Sequence, residues 1–211
     1  MLIDENIVTN WLNKFNINVK GVFHVGAHDC EELSFYTRQL NISPEQCVWV
    51  EAIKEKVVRA KDLGIPNIYQ AVVTDTDDSE VTFNVSNNIQ SSSVLPFGTH
   101  SINHSWVHYT HSLTLPTITI DTFFKRNNIS PTNFTFWNFD IQGAELLALK
   151  GAKEALQYPS AIYLEVNTEE VYKGCGLLHE IDILLAQYRF IRVETKMTTA
   201  GWGDALYIKI V

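Results

Sequence analysis

The strongest constraint on the fold of this chain is an alternation of short β-rich runs with longer segments of helical spacing. Residues 19–25, 47–50 and 67–73 are apolar or β-branched, and the intervening segments 31–40 and 53–63 carry apolar residues at helical intervals. This β-α-β-α-β order predicts a parallel sheet with right-handed crossovers. A chain of 211 residues that is 45% hydrophobic can bury the core of one such α/β domain.

The alternation resumes after an irregular middle section. Residues 80–120 are interpreted as an insertion on the substrate side of the sheet, and residues 1–18 as an N-terminal extension of a single domain spanning 1–211. The insertion contains a predicted strand at 80–85 and a short predicted strand at 117–121. The elements predicted after it are strand 133–139, helix 144–156, strand 161–166, helix 177–188 and strands 189–194 and 205–210. The short turn Gly201-Trp202-Gly203-Asp204 predicts that the final two strands are antiparallel.

Charge and composition exclude several classes of function. The net charge of −8 and the lack of a Lys/Arg run argue against a nucleic-acid partner, because the average field repels phosphate. No apolar run approaches the roughly 18 residues that span a bilayer, and no signal-peptide pattern is present. Cys30, Cys47 and Cys175 are too few and too dispersed for a disulfide framework or a zinc site. These observations predict a cytoplasmic protein with no membrane partner.

Small and polar residues follow the predicted strands at the edge where open α/β sheets bind ligands. Gly26 lets the backbone approach a ligand, and the next helix offers free amides. Glu51 ends the second strand, where a carboxylate can accept both hydroxyl protons of a ribose. The candidate cofactor-binding residues at these ends are Gly26, Ala27, His28, Asp29, Glu51, Ala52, Val72, Thr74, Asp140 and Gln142. Such a set suits either S-adenosylmethionine or a dinucleotide.

Three segments make the chain resemble the FkbM family of methyltransferases. They are VFHVGAHD at 22–29, VWVEA at 48–52 and FDIQGAEL at 139–146, and the resemblance extends from about Gly21 to the C-terminus. It implies a Rossmann-like class I methyltransferase fold, S-adenosylmethionine as donor, and O-methylation of hydroxyls such as those of sugars. It also implies a cofactor role for Gly26, Ala27, His28 and Glu51. His24 stands where the family usually has an acid, so we expect His24 to bond the amino-acid moiety of the cofactor instead.

Methyl transfer to a hydroxyl benefits from a general base within hydrogen-bond reach of the acceptor. Asp140, Glu145 and Glu165 are the candidate catalytic residues, because they lie at or just beyond strand ends. The candidate substrate residues are Ser92, His104, His108 and Asn167. His100, His104 and His108 share one helical face if residues 101–110 form a helix. No metal site is predicted, although Asp140, Glu165 and Asn167 together offer three oxygen ligands to Mg²⁺ or Ca²⁺.

Two other functions remain open from the sequence. The first is a nicotinamide-dependent oxidoreductase, which is expected to carry a fuller G-x-G-x-x-G turn and no final antiparallel hairpin. The second is a non-catalytic relic of the fold that binds a ligand or partner, a possibility raised by the replacement at His24. The leading hypothesis is an O-methyltransferase acting on a small molecule or a sugar.

Overall fold

The computed structural model describes residues 1–210, in which strands and helices alternate along most of the chain. The strands are β1 Val22–Val25, β2 Cys47–Glu51, β3 Ile68–Gln70, β4 Val72–Val73, β5 Glu80–Ser86, β6 Tyr109–Ile118, β7 Phe136–Phe139, β8 Ala161–Asn167, β9 Phe190–Met197 and β10 Trp202–Lys209. The helices are α1 Glu5–Lys14, α2 Leu33–Arg38, α3 Lys54–Asp62, α4 His100–Asn103, α5 Ile120–Arg126, α6 Glu145–Lys150 and α7 Leu178–Ala186.

Seven strands form the main sheet, in the order β3-β2-β1-β7-β8-β10-β9. Strands β3, β2, β1, β7 and β8 run parallel, whereas β10 is antiparallel to both of its neighbours. The predicted fold class, a mostly parallel sheet that ends in an antiparallel hairpin, is confirmed. The chain leaves β1 toward β2 and later returns to β7 on the other side of β1. The topological switch point, where such sheets bind ligands, therefore lies between β1 and β7.

Helices cover both faces of the main sheet, and successive strand residues point to opposite faces. Phe23 and Val25 of β1 belong to the core cluster that includes the buried side chains of α5, α6 and α7. Val22 and its neighbour Trp49 of β2 belong to the cluster that includes the buried side chains of α1, α2 and α3. The arrangement is the three-layer α/β/α architecture expected for a buried parallel sheet.

The predicted insertion folds as a second, smaller sheet. In it, β6 pairs in parallel with β4 and antiparallel with β5. The predicted strand at 117–121 is right only for residues 117 and 118, because β6 ends at Ile118 and α5 begins at Ile120, with the Thr119 side chain accepting a hydrogen bond from the Thr122 amide. The conditional helix at 101–110 is wrong. Helix α4 ends at Asn103, and Tyr109 already starts the long strand β6.

The other boundaries differ in ways that matter for the site. The predicted helix 144–156 is shorter, since α6 ends at Lys150 and a single 3-10 turn follows at Ala155–Gln157. The turn of the final hairpin lies at 198–201, so Asp204 is a residue of β10 and not of the turn. Across residues 1–210, no helix has the length and apolar character needed to cross a membrane.

The predicted N-terminal extension contains α1, which packs on the main sheet. Asp4 caps this helix by accepting a hydrogen bond from the Asn6 amide. Val8 and Leu12 lie four residues apart on one face of the helix, and both are buried in the core cluster of α1, α2 and α3. The segment thus contributes apolar surface to the same core as the rest of the sheet.

We expect Leu12→Ala to lower the free energy of unfolding by about 2–5 kcal/mol, because it leaves a cavity beneath α1. Ile7→Ala is the matched control, since Ile7 lies on the same helix with 41% of its surface exposed. Its effect should stay within about 0.5 kcal/mol. Urea denaturation followed by circular dichroism measures both values, and equal losses would show that α1 does not pack on the sheet in solution.

Candidate functional site

A buried polar network lies on the main sheet just below the edge of the site. His24, Asn138 and Tyr163 are in register on the neighbouring strands β1, β7 and β8, and each is at least 98% buried. The Asn138 amide nitrogen donates to the Tyr36 hydroxyl oxygen at 2.7 Å, and that hydroxyl lies 3.0 Å from Nδ1 of His24. Burial lowers the pKa of His24, so a neutral imidazole that accepts the Tyr36 proton fits this geometry.

His24 therefore has a structural role. Its ring lies 4.8 Å from that of Trp49, and it lines neither of the cavities described below. This placement does not favour the expected contact between His24 and the amino-acid moiety of a cofactor, which stays a prediction. Because strand residues alternate between faces, the His24 side chain points to the same face as Val22, which is covered by α1, α2 and α3.

Two residues beyond this network, the strands bring Gly26, Asp140 and Glu165 to the carboxyl edge of the sheet. Asp204 of β10 pairs directly with Glu165, so three carboxylates occupy neighbouring strands. Gly26 has a φ of +92°, and a Cβ atom there would lie 1.9 Å from the carbonyl oxygen of Asp140. Only glycine tolerates both the backbone conformation and this close approach. The switch point of the sheet is thus an acidic edge with a glycine at its centre.

The first cavity opens at this edge and has a volume of about 270 Å³. It lies between the loop after β1, the end of β2, strand β4 and the segment 89–94 of the insertion. The predicted residues that line it are Gly26, His28, Glu51, Ala52, Val72, Ser92, Asp140 and Gln142. The predicted cofactor residues Ala27, Asp29 and Thr74 do not line it. Ala27 is buried in the core, and the Thr74 hydroxyl donates to the Thr76 carbonyl.

Glu51 presents a buried carboxylate to the first cavity. Its two oxygens accept hydrogen bonds from the backbone amides of His28 and Ile53, both at 2.8 Å. Burial raises the pKa of Glu51, and these two amide bonds oppose the shift. Each carboxylate oxygen retains a second lone pair that can accept a hydroxyl proton from a ligand. The amides also fix the orientation of the carboxylate before a ligand arrives.

Lys56 of α3 holds the loop after β1, and sequence reasoning missed it. Its ammonium group lies 2.8 Å from Nε2 of His28 and 2.8 Å from a carboxylate oxygen of Asp29. The other ring nitrogen of His28 lies 2.6 Å from Glu31. The hydrogen bond from Lys56 lowers the pKa of Asp29. His28 has a φ of +44°, so this ion-paired cluster keeps a strained residue in place at the rim of the first cavity.

The same cluster bears on the question of a metal. Within residues 1–210, His28, Asp29 and Glu31 form the one group of acidic, histidine or cysteine ligand atoms close enough to hold an ion together. The Lys56 ammonium already pairs with Asp29 of this group. The oxygen set considered from the sequence does not converge, because Asn167 is fully buried and lines neither cavity.

The second cavity adjoins the first and has a volume of about 320 Å³. The two cavities share Met1, Gln90, Asp140 and Gln142. Acidic, aromatic and imidazole side chains line the second cavity, among them Glu165, Asp204, Tyr172, Trp106, Trp202, His100 and His104. Of the two candidate substrate histidines, His104 lines this cavity, whereas His108 lies outside it on an exposed segment because α4 ends before it.

Gln142 connects the acids at the boundary of the two cavities. Its side-chain nitrogen donates to Asp140 at 2.6 Å and to Glu165 at 2.9 Å, and its side-chain oxygen accepts from the Tyr172 hydroxyl at 2.6 Å. Desolvation, with the nearby charge of Asp204, raises the pKa of Asp140 to about 6, although the bond from Gln142 opposes the shift. Desolvation and the neighbouring carboxylates also raise the pKa of Glu165 well above its usual value.

Glu145 is placed differently from the other two predicted catalytic acids. Its carboxylate accepts hydrogen bonds from the amides of Ile141 at 2.9 Å and Gly143 at 3.3 Å, and its side chain lines neither cavity. Burial raises the pKa of Glu145 to about 8. Glu145 therefore holds the turn before α6 that carries Gln142, and its predicted catalytic role stays a prediction that this position does not favour.

The comparison with family profiles decides the class of this site. Residues 24–192 match the profile of the methyltransferase FkbM domain. The chain belongs to the FkbM methyltransferase family. This membership confirms the predicted family, the methyltransferase class and S-adenosylmethionine as the methyl donor, and it decides against the nicotinamide-dependent oxidoreductase.

One solved structure with a TM-score above 0.5 shares the fold of this chain. An FkbM methyltransferase from Methylobacillus flagellatus KT has a TM-score of 0.53 at 15% identity, covering 90% of this chain and 44% of that chain. A SAM-dependent methyltransferase from Aquifex aeolicus has a TM-score of 0.43 at 14% identity, covering 99% of this chain and 91% of that one. The chain thus spans less than half the length of the Methylobacillus structure. A search of curated proteins gave no match.

Gly26 provides a test of the FkbM site's geometry. We expect Gly26→Ala to lower the free energy of unfolding by more than about 3 kcal/mol, because its Cβ would overlap the Asp140 carbonyl in addition to straining φ. Gly64→Ala is the matched control: Gly64 has a φ of +80° but nothing within 4 Å of an added Cβ.

The control should cost about 1–2 kcal/mol from the backbone conformation alone. Chemical denaturation measures the difference between the two variants. A Gly26→Ala variant as stable as Gly64→Ala would contradict the close contact between β1 and β7.

Proposed function

We propose that this protein is an O-methyltransferase that binds S-adenosylmethionine in the first cavity and a hydroxyl-bearing small molecule or sugar in the second. The observation that supports this proposal is that the two cavities meet at Asp140 and Gln142. A methyl donor and an acceptor must be brought into line for displacement, and adjoining cavities supply that arrangement. The family supports methyl transfer, and the acidic boundary supports a hydroxyl acceptor that requires a base.

The residues of the first cavity fit the donor. Glu51 offers lone pairs to the two ribose hydroxyls, as expected from its position at the end of β2. Ile53, Val72 and Phe83 supply apolar surface for the adenine ring. Gly26 leaves space for the remainder of the donor beside the acids of the switch point. When bound, S-adenosylmethionine supplies a methyl group that its sulfonium has already activated.

Asp140 is the proposed general base. It lines both cavities, and its carboxylate is held at 2.6 Å by the side chain of Gln142. Bound S-adenosylmethionine would supply the methyl carbon to the acceptor oxygen, and the electron pair of the broken carbon–sulfur bond would remain on sulfur. The hydroxyl proton passes to Asp140, and S-adenosylhomocysteine is the second product. Glu165, bound to the same Gln142 amide, is proposed to orient the acceptor.

Donor binding provides the first test. We expect Glu51→Gln to weaken binding of S-adenosylhomocysteine about tenfold or more, because the ribose loses a charged acceptor. Glu55→Gln, an exposed acid on α3, is the matched control and should bind normally. Isothermal titration calorimetry measures both. If the parent protein binds neither S-adenosylmethionine nor S-adenosylhomocysteine, the non-catalytic relic becomes the better hypothesis.

The pH dependence of turnover tests the base. Because Asp140 must be ionised to accept a proton, kcat/KM should fall about tenfold per pH unit below the raised pKa of Asp140, about 6. Asp140→Asn should lower kcat by about 10²–10⁴-fold while donor binding persists. Asp62→Asn, at the exposed end of α3, should leave both unchanged. An Asp140→Asn variant with normal kcat would remove Asp140 from this role.

A further inference from the structure

The second cavity brings three carboxyl groups together, and no cationic side chain in the part of the chain that the structure describes lines it. Asp140, Glu165 and Asp204 line it, no Lys or Arg side chain of residues 1–210 does, and the α-ammonium of Met1, which also lines it, lies 3.7 Å from Glu32. None of the three acids takes part in an ion pair within residues 1–210. Carboxylates at a partly desolvated site are normally matched by a cation or a metal. A ligand of this cavity is therefore expected to supply the positive charge.

The hydrogen bonds already made by these acids leave room for such a ligand. Asp140 and Glu165 share a single donor, the side-chain nitrogen of Gln142. Asp204 accepts from the Tyr163 hydroxyl and from the Leu2 amide. A carboxylate has about four lone-pair positions, so at least two remain free on each of these groups. Neutral donors of this kind orient the carboxylates without cancelling their charge.

Two further features of the cavity wall suit a cationic group with polar substituents. Trp106, Trp202 and Tyr172 present aromatic rings, and such rings attract ammonium groups through their faces. Only 7% of the surface of His100 is exposed, and its Nδ1 has no hydrogen-bond partner within residues 1–210. Burial lowers the pKa of His100 to about 4, so this imidazole is neutral at physiological pH and does not balance the acids.

We propose that the acceptor carries a protonated amine next to the hydroxyl that is methylated, as in an amino sugar or another vicinal amino alcohol. Its ammonium lies against Glu165 and Asp204, and its hydroxyl faces Asp140 at the boundary with the first cavity. The inference rests on the proposed function, since it concerns the acceptor of the same reaction. It adds a charge requirement that the family and the fold do not supply.

Matched ligand pairs test this proposal without knowledge of the natural acceptor. The protein is first saturated with S-adenosylhomocysteine, and then titrated calorimetrically with trans-2-aminocyclohexanol and with trans-1,2-cyclohexanediol. D-glucosamine and D-glucose form a second pair. In each pair the amine should bind about tenfold more tightly than the neutral partner, as expected for one charge-assisted hydrogen-bonded contact. The amine preference should also shrink at high salt.

Substitutions of the acids test which residues cause the preference for the amine. Glu165→Gln keeps an oxygen for Gln142 to donate to but removes the charge, so the ratio of amine to diol affinity should fall toward one. Asp204→Asn is a second variant, and it should reduce the same ratio if Glu165→Gln is poorly folded. Glu154→Gln, an exposed acid outside both cavities, is the control and should retain the full preference.

The outcomes separate this inference from the proposed function. Failure of the initial S-adenosylhomocysteine titration would overturn both. Saturation with S-adenosylhomocysteine followed by equal binding of the paired ligands, tighter binding of the diols, or no binding of the amines would overturn the charge requirement alone. A preference that survives in both Glu165→Gln and Asp204→Asn would place the amine elsewhere and would also overturn the proposal.

Discussion

The close contact between Gly26 and the Asp140 carbonyl is the constraint on which the rest of the site depends. It joins β1 to β7 at the switch point with no side chain between them, and the Asp140 amide also donates to the Val25 carbonyl at 3.0 Å. Because the two strand ends meet here, the loop of His28 and the turn of Gln142 face each other across one opening. The first cavity lies at this opening, and the second cavity adjoins it at Gln142.

The turn after β7 places a polar side chain beside this backbone contact. Gln142 has a φ of +55°, a conformation that costs free energy for a residue with a side chain. Glu145 offsets that cost by accepting from two amides of the same turn. The result is a single amide group that reaches Asp140 and Glu165 together. A strained turn at the boundary of two cavities is typical of a position that serves binding or catalysis more than stability.

The sequence predicted the parts of this site that are local. A glycine turn after a strand and a carboxylate at the next strand end are read from neighbours in the chain, so Gly26 and Glu51 are placed as expected. Asp204 was missed as an acid of the site because its position depends on the antiparallel pairing with Glu165. His24 was assigned to the cofactor because the FkbM family usually has an acid at this position, and the resemblance does not show that the imidazole packs against Tyr36 and Trp49 in the core. His108 was misplaced because pairing with β5 ends the helical segment early.

The N-terminal segment contacts residues that are distant in the chain and helps to form the wall of the second cavity. The amides of Leu2 and Ile3 both donate to the Tyr163 hydroxyl, which in turn bonds Asp204. Tyr163 itself stands in register with Asn138, so the wall of the second cavity continues into the buried network under the sheet. Packing of α1 on the sheet fixes where residues 2 and 3 lie. The folding of α1 is therefore physically coupled to the orientation of Asp204 in the second cavity. The Leu2 amide and the Asp204 carboxylate that it contacts are 202 positions apart in the chain.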